Sequence, residues 1–246
     1  MTASDSNFEI RYQPKIDLKR KCLAGAEALV RLEPSTGEFV HVLQQALLTI
    51  LQDWESFAEA GFNLHLTVEL PGDALALASL ASLVQLNKPQ SKHWPGLIFE
   101  IAEDRIVRDI AQTKKIAAEL KACGVAISVA DFGAGFSSFA SLRDLPFAEI
   151  KIDASFVKNC ATDVNNAAIC QTAIDLAHRF GSRAVAEGIG SMPDLQALVV
   201  MGCDLGQGAM IGPPMPKELF LDLLRTRLNK PRAPAPAAAE GAGCVA

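Results

Sequence analysis

Seven polar residues sit at or just past the ends of short apolar runs: Glu27, Glu69, Glu100, Asp131, Lys151, Glu187 and Gln207. A single acid in such a place is ordinarily a helix cap or a solvated charge. Five acids converging on one spot are different, because unpaired carboxylates at close range repel and require cations. Oxygen donors without His or Cys favour Mg²⁺, Mn²⁺ or Ca²⁺ over zinc. Two such ions suit in-line hydrolysis of a phosphodiester, one activating water and both stabilising the charged transition state. Lys151 would hold the attacking water or neutralise developing charge, and Arg31 would clamp a phosphate oxygen. The plain alternatives are a structural ion pair for Lys151 and a surface salt bridge for Arg31. By residue type and spacing, this is a metal-dependent site for a phosphorylated substrate.

A repeated unit positions these residues: an amphipathic helix, a glycine, a short apolar strand, then an acid or amide. The spacing predicts a helix over 104–123 with Ile106, Ile110, Ala117 and Leu120 on one face. Gly124 ends it as a left-handed cap, and a strand over 125–129 leads to Asp131. A helix over 163–180 stacks Ile169, Ala173, Leu176 and Phe180, followed by Gly181, strand 183–186 and Glu187. The next helix, 191–201, has Ser191 as N-cap and Pro193 in its first turn. Gly202 closes it, and Cys203-Asp204-Leu205 leads to Gln207. Earlier, Gly61 precedes Leu64 to Val68 and Glu69, and Gly96 precedes Leu97 to Phe99 and Glu100.

Strands alternating with helices imply βαβ units and a parallel sheet. Continuously apolar strands fit a sheet buried on both faces. That many units close into a (β/α)₈ barrel, whose site lies at the strand C-termini, where the acids are. Helix 216–228 is expected to be the last, after Pro213-Pro214-Met215-Pro216. Residues 1–229 then form one domain, and 230–246, rich in Ala and Pro, have the composition of a disordered tail.

Composition removes several classes. The net charge of −5 offers no basic face for a nucleic-acid polymer or anionic membrane. Met1 to Phe8 is too polar for a signal peptide, and no apolar run is long enough to span a bilayer. A soluble, cytoplasmic protein is expected. Cys22, Cys123, Cys160, Cys170, Cys203 and Cys244 have no CxxC spacing and read as reduced, mostly core residues. His41, His65, His93 and His178 do not cluster, which argues against triad hydrolases and His-rich metal sites.

The motifs resemble, in order, those of EAL domains. They are Tyr12-Gln13-Pro14, Glu27-Ala28-Leu29 with Arg31, Phe99-Glu100-Ile101-Ala102-Glu103, and Asp131-Phe132-Gly133-Ala134-Gly135-Phe136-Ser137-Ser138. Lys151-Ile152-Asp153, Ala186-Glu187-Gly188 and Gly202-Cys203-Asp204-Leu205-Gly206-Gln207-Gly208 complete the set. The resemblance runs from about Ile10 to Pro216. It implies a TIM-like barrel hydrolysing cyclic di-GMP to linear pGpG with Mg²⁺ or Mn²⁺, and a homodimer through the segment after Asp131. It further implies metal ligation by Glu27, Glu69, Glu100, Asp131 and Glu187, with Lys151, Glu187 and Gln207 around the nucleophilic water. Glu103 matches a glutamate that steadies the loop after strand five. Gln13, Arg31 and Asp153 match ligand-binding positions.

Four departures from the family pattern bear on catalysis. Ala130 stands where the family has the first aspartate of an Asp-Asp pair, a metal-bridging ligand. Glu69 stands where an asparagine is expected after strand three, and Gly190 where the Ala-Glu-Gly-Val-Glu stretch has its second glutamate. The segment between Gly37 and Trp54 is short, missing a proline-rich turn and a Phe-Ile-Pro-x-Ala-Glu stretch. Losing an essential catalytic carboxylate can remove orders of magnitude in rate. Ser128, on the same face as Ala130, is a poor bridging ligand. The leading expectation is therefore a cyclic di-GMP receptor with little or no hydrolysis. The alternatives are an active phosphodiesterase in which Glu69 compensates, and a protein-interaction module that holds a protein partner without nucleotide.

Overall fold

The computed structural model describes residues 8–32, 39–69, 80–108, 110–133 and 145–228. The expected tail at 230–246, the post-Asp131 dimer segment from residue 134 to 144, and Gly37 and Glu38 of the shortened stretch lie outside those residues.

Eight strands form one closed ring in chain order. They are β1 (Phe8–Asp17), β2 (Cys22–Leu32), β3 (His65–Glu69), β4 (Leu97–Ala102), β5 (Val125–Phe132), β6 (Glu149–Ile152), β7 (Arg183–Ala186) and β8 (Leu205–Gly206). From β2 to β8 neighbours are parallel, as expected, but β1 is antiparallel to both β2 and β8. The reason is local. Only four residues separate β1 from β2, enough for a hairpin and far too few for a parallel crossover. The Asp17 carboxylate accepts from Arg20 N at 2.7 Å and its carbonyl from Lys21 N at 2.8 Å, pinning that turn.

The surrounding helices are α1 (Phe39–Glu59), α2 (Leu80–Asn87), α3 (Glu103–Arg108), α4 (Ile110–Ala122), α5 (Ala154–Val157), α6 (Val164–Arg179), α7 (Met192–Met201) and α8 (Lys217–Leu228). The helix expected over 104–123 is thus two described pieces, α3 and α4, either side of residue 109. Ser191 caps α7 by accepting from Asp194 N, and Gly202 follows at φ 86°, the left-handed end that glycine tolerates. The buried stripe of α6 is Cys170, Ala173, Ile174 and Ala177. It keeps Ala173 of the expected Ile169/Ala173/Leu176/Phe180 face but is otherwise rotated by about one residue, which leaves Phe180 partly outside.

Alternate strand residues go to different places. Leu66, Val68, Phe99, Ile127 and Ile150 pack outward against the helices in one apolar core. The intervening residues point inward. In a barrel, strand tilt displaces the level by one residue per strand relative to hydrogen-bond register, so side chains from alternate strands share a layer. Register from Glu27 runs through Thr67 to Ile98, and two residues on is Glu100. The same step takes Glu100 to Lys151 and Lys151 to Gln207. Those four form one layer. The odd strands give the layer above: Gln13, Glu69, Ala130 and Glu187. Below lie Lys15, Thr67, Ser128 and Val185. The barrel is filled with polar side chains where an ordinary one is aliphatic.

The seam between β1 and β8 is short, two residue pairs. It is reinforced by Tyr12, which exchanges backbone hydrogen bonds with Met215 at 2.7 and 3.0 Å. The Tyr12 ring packs on Phe57 and Phe220 with centroids 5.1 and 5.8 Å away. Its hydroxyl donates to Asp53 at 2.5 Å, and Lys217 pairs with Asp53 at 2.7 Å.

Candidate functional site

Strand alternation and tilt place Glu27, Glu100, Lys151 and Gln207 in one layer, and their atoms meet there. The Lys151 ammonium lies 2.9 Å from Glu27 Oε2, 2.7 Å from Glu100 Oε2 and 3.6 Å from Glu187 Oε2. Gln207 Nε2 donates to the same Glu27 oxygen at 2.5 Å. Glu27, Glu100, Lys151 and Gln207 are almost wholly buried, while the Glu187 side chain is a third exposed at the mouth. Gly208 permits this placement of Gln207: a Cβ there would meet Ile189 N at 2.2 Å.

Beneath this layer is a floor that the sequence reading did not single out. Buried Lys15 donates to Thr67 Oγ1 and Glu149 Oε2, both at 3.0 Å, and lies 3.8 Å from Glu100 Oε1. Arg183 holds the other Glu149 oxygen at 2.7 Å. A signal existed: Gln13-x-Lys15 and Glu149-x-Lys151 carry polar residues at the period-two spacing of one strand face.

The remaining expected residues line the mouth at different distances. Glu69 ends β3, exposed, in register with Glu100. Asp131 is exposed in a β5 bulge at φ 54°, beside buried Ala130. Gln13 Nε2 donates to Gly212 O at 3.2 Å. Arg31 is exposed four residues beyond Glu27, on the same strand face and about 13 Å further out. Asp153 caps α5, accepting from Ser155 N at 2.8 Å and from its hydroxyl. Glu103 accepts from Gly133 N at 3.2 Å, tying the end of β5 to the start of α3.

The electrostatics of the cluster are lopsided. Burial would raise Glu27, but Lys151 beside it, with hydrogen bonds from Lys151 and Gln207, holds its carboxyl below the ordinary value. Burial pushes Glu100 up to about 7, with Glu27 adding to the rise and Lys151 and Lys15 opposing it. Burial also raises Glu69, Asp131 and Glu187, and neighbouring acids add to each against the pull of Lys151. The acids Glu100, Glu27 and Glu187 in turn keep Lys151 charged, overcoming its burial. Two buried ammonium groups therefore undercompensate the surrounding carboxylates.

That donor set fits a hard divalent cation. It is oxygen-only and excessively negative, and Glu100 Oε1 and Gln207 Oε1 are buried without a hydrogen-bond partner. The fit is incomplete, since among the described residues no three such side chains already converge as a cage. Lys151 stands at the centre of the lower layer, and Ala130 brings only a methyl group to the upper one.

A closed barrel with one reversed strand, filled with paired acids and lysines below an acid-rimmed mouth, defines an α/β barrel with a charged interior. The chain belongs to the EAL domain family, whose model matches residues 2–214. It is similar to the cyclic di-GMP phosphodiesterase PA2567 of Pseudomonas aeruginosa, 34% identical over 90% of this chain and 41% of that protein. The cyclic di-GMP phosphodiesterase RocR of the same organism is 31% identical over 89% of this chain and 60% of its own length. This chain thus spans roughly two to three fifths of those relatives. Among solved structures, the PaMucR phosphodiesterase in complex with c-di-GMP superposes with a TM-score of 0.79 at 30% identity, covering 87% of this chain and 94% of that one. No helix among the described residues is long and apolar enough to cross a membrane.

Proposed function

We propose that this EAL domain is a cytoplasmic receptor for cyclic di-GMP in which hydrolysis is slow or absent. The observation that carries this reading is Ala130, which holds an inward position of the mouth layer with a side chain unable to ligate anything. The layer beneath it, with Lys151 gripping Glu27 and Glu100, is intact. Binding therefore keeps its platform while the alignment of a nucleophile loses one anchor.

In this reading Arg31 takes a phosphate oxygen, Gln13 lies near a base, and Asp153 contacts the ligand from the turn after β6. Glu27, Glu69, Glu100, Asp131 and Glu187 hold Mg²⁺ or Mn²⁺. When bound, the metal would neutralise phosphate charge and lower the pKa of water. The chain's own residues keep the geometry: Gln207 and Lys151 fix Glu27, Lys151 fixes Glu100, and Glu103 tethers the end of β5. A homodimer through the segment after Asp131 belongs to the same proposal.

The intact lower layer favours residual phosphodiesterase activity as the second reading. Calorimetry with cyclic di-GMP, with and without Mn²⁺, tests binding, and chromatography for pGpG tests turnover in the wild type and in Ala130→Asp. Binding with turnover appearing only in the variant is expected. Efficient wild-type turnover would overturn the receptor reading, and absence of binding would leave a protein-interaction module.

A further inference from the structure

Ser128 stands between two carboxylates. On β5 it is in register with Glu100 of β4 on one side and with Glu149 of β6 on the other, each one strand spacing of about 4.8 Å away. The Lys15 ammonium reaches the same place from β1. It lies 3.0 Å from Glu149 Oε2 and 3.8 Å from Glu100 Oε1. An ammonium has three protons to donate. Thr67 Oγ1 and Glu149 Oε2 take two of them, each at 3.0 Å. The third remains, and 3.8 Å is too long for a direct hydrogen bond to Glu100. Glu100 Oε1 and Ser128 Oγ are themselves buried with no hydrogen-bond partner among the described residues. Lys15, Glu100 and Ser128 are 2%, 1% and 0% exposed, so bulk solvent does not satisfy them.

We propose that one buried water binds between Lys15, Glu100 and Ser128. Buried waters make about three hydrogen bonds to polar groups that are otherwise unsatisfied, and a polar separation beyond roughly 3.5 Å is one such a molecule bridges. The donors balance. Water accepts from Lys15 Nζ, donates one proton to Glu100 Oε1 and the other to Ser128 Oγ. A metal ion is the wrong ligand at this point, because the ammonium presents protons to it and no lone pair. The water joins the floor to the layer above. A hydrogen-bonded run then passes from Arg183 through Glu149, Lys15, the water, Glu100 and Lys151 to Glu27. Glu100 is steadied on both oxygens, Oε1 by the water and Oε2 by Lys151 at 2.7 Å.

The test is a crystal structure of the protein grown in EDTA without nucleotide, at a resolution that shows ordered water, beside melting curves of wild type and Ser128→Ala. One peak is expected within about 3.2 Å of Lys15 Nζ, Glu100 Oε1 and Ser128 Oγ. Lys15 Nζ closing directly onto Glu100 Oε1, with no peak between them, would overturn the proposal. The melting curves read the same bond independently. A buried hydroxyl with no partner costs stability, so removing it leaves Tm unchanged or raises it. A hydroxyl that holds the water is worth about one hydrogen bond, and Ser128→Ala should then lower Tm by roughly 2–4 °C. A variant as stable as wild type, or more so, would equally sink the water. Neither measurement involves cyclic di-GMP or a divalent cation. Failure here therefore leaves the receptor reading standing, and failure of that reading leaves the water.

Discussion

Replacing Lys151 with Met is the most demanding test of the interior charge network. The ammonium is the shared partner of Glu27 at 2.9 Å and Glu100 at 2.7 Å, both almost wholly buried. Its third partner, Glu187, is a third exposed and largely screened, so it adds little. Removing one member of a buried ion pair costs about 3–5 kcal/mol, because the remaining charges stay desolvated. For a domain of this size that is a fall in Tm of roughly 6–20 °C. The loss should depend on pH in a definite sense. Glu100 already lies near 7, against 4.5 for a free glutamate, with Lys151 in place. Without the ammonium it rises further. An acid whose folded pKa exceeds its unfolded one binds more protons when folded, so stability declines as pH climbs through that interval. The deficit of Lys151→Met should therefore be largest above pH 7 and shrink toward pH 5. Circular dichroism melts of both proteins at pH 5 and 8 decide it. A fall of under about 3 °C at pH 8, or one equal at both pH values, would refute the reasoning.

Other outcomes follow from local geometry. Asp194 accepts from Ser191 Oγ at 2.6 Å and from Ala161 N at 3.1 Å, so Asp194→Ala should cost about 1–2 kcal/mol in urea titrations. Despite its burial, the Ser191 and backbone hydrogen bonds hold Asp194 below its ordinary 3.8, so its contribution is present above that value and lost as pH falls below it. Burial pushes the Cys160 and Cys170 thiols up to about 12 and about 11. Iodoacetamide at pH 8, read by peptide mass mapping, should label exposed Cys22 and spare both in the folded protein. Gly208→Ala puts a methyl group against Ile189 backbone atoms at 2.2 and 2.4 Å and shifts Gln207. It should lower Tm by several degrees and weaken Mn²⁺ binding; an unchanged Tm would contradict the contact.

The parts of this barrel visible in its sequence were those written in punctuation. Gly124 and Gly202, at φ 79° and 86°, end helices where expected, and the strands after them lead to Asp131 at the mouth and to Gln207 in the buried layer below it. What stayed hidden was the third dimension of the interior. Lys15, Thr67, Ser128 and Glu149 alternate with apolar residues within strands, and nothing local says that their side chains meet across the barrel. The reversed β1 was hidden for the same reason, since direction depends on a four-residue turn that composition does not reveal. Level across strands comes from tilt, so adjacency of Glu69 and Ala130, 61 positions apart in the chain, emerges only once register is known.

The seam at Tyr12 has a consequence for how the molecule is made. The bonds closing the ring join residues 12–18 to residues 204–215. During synthesis, β1 must therefore wait with one edge unpaired until β8 and the turn after it have left the ribosome. Contacts so distant in sequence form late, and an open strand edge is a template for wrong partners meanwhile. Gln13 lies on that waiting edge and finds Gly212 only when the ring shuts. A ribosome stalled before residue 204 should thus hold a protease-sensitive intermediate whose mouth is not yet assembled.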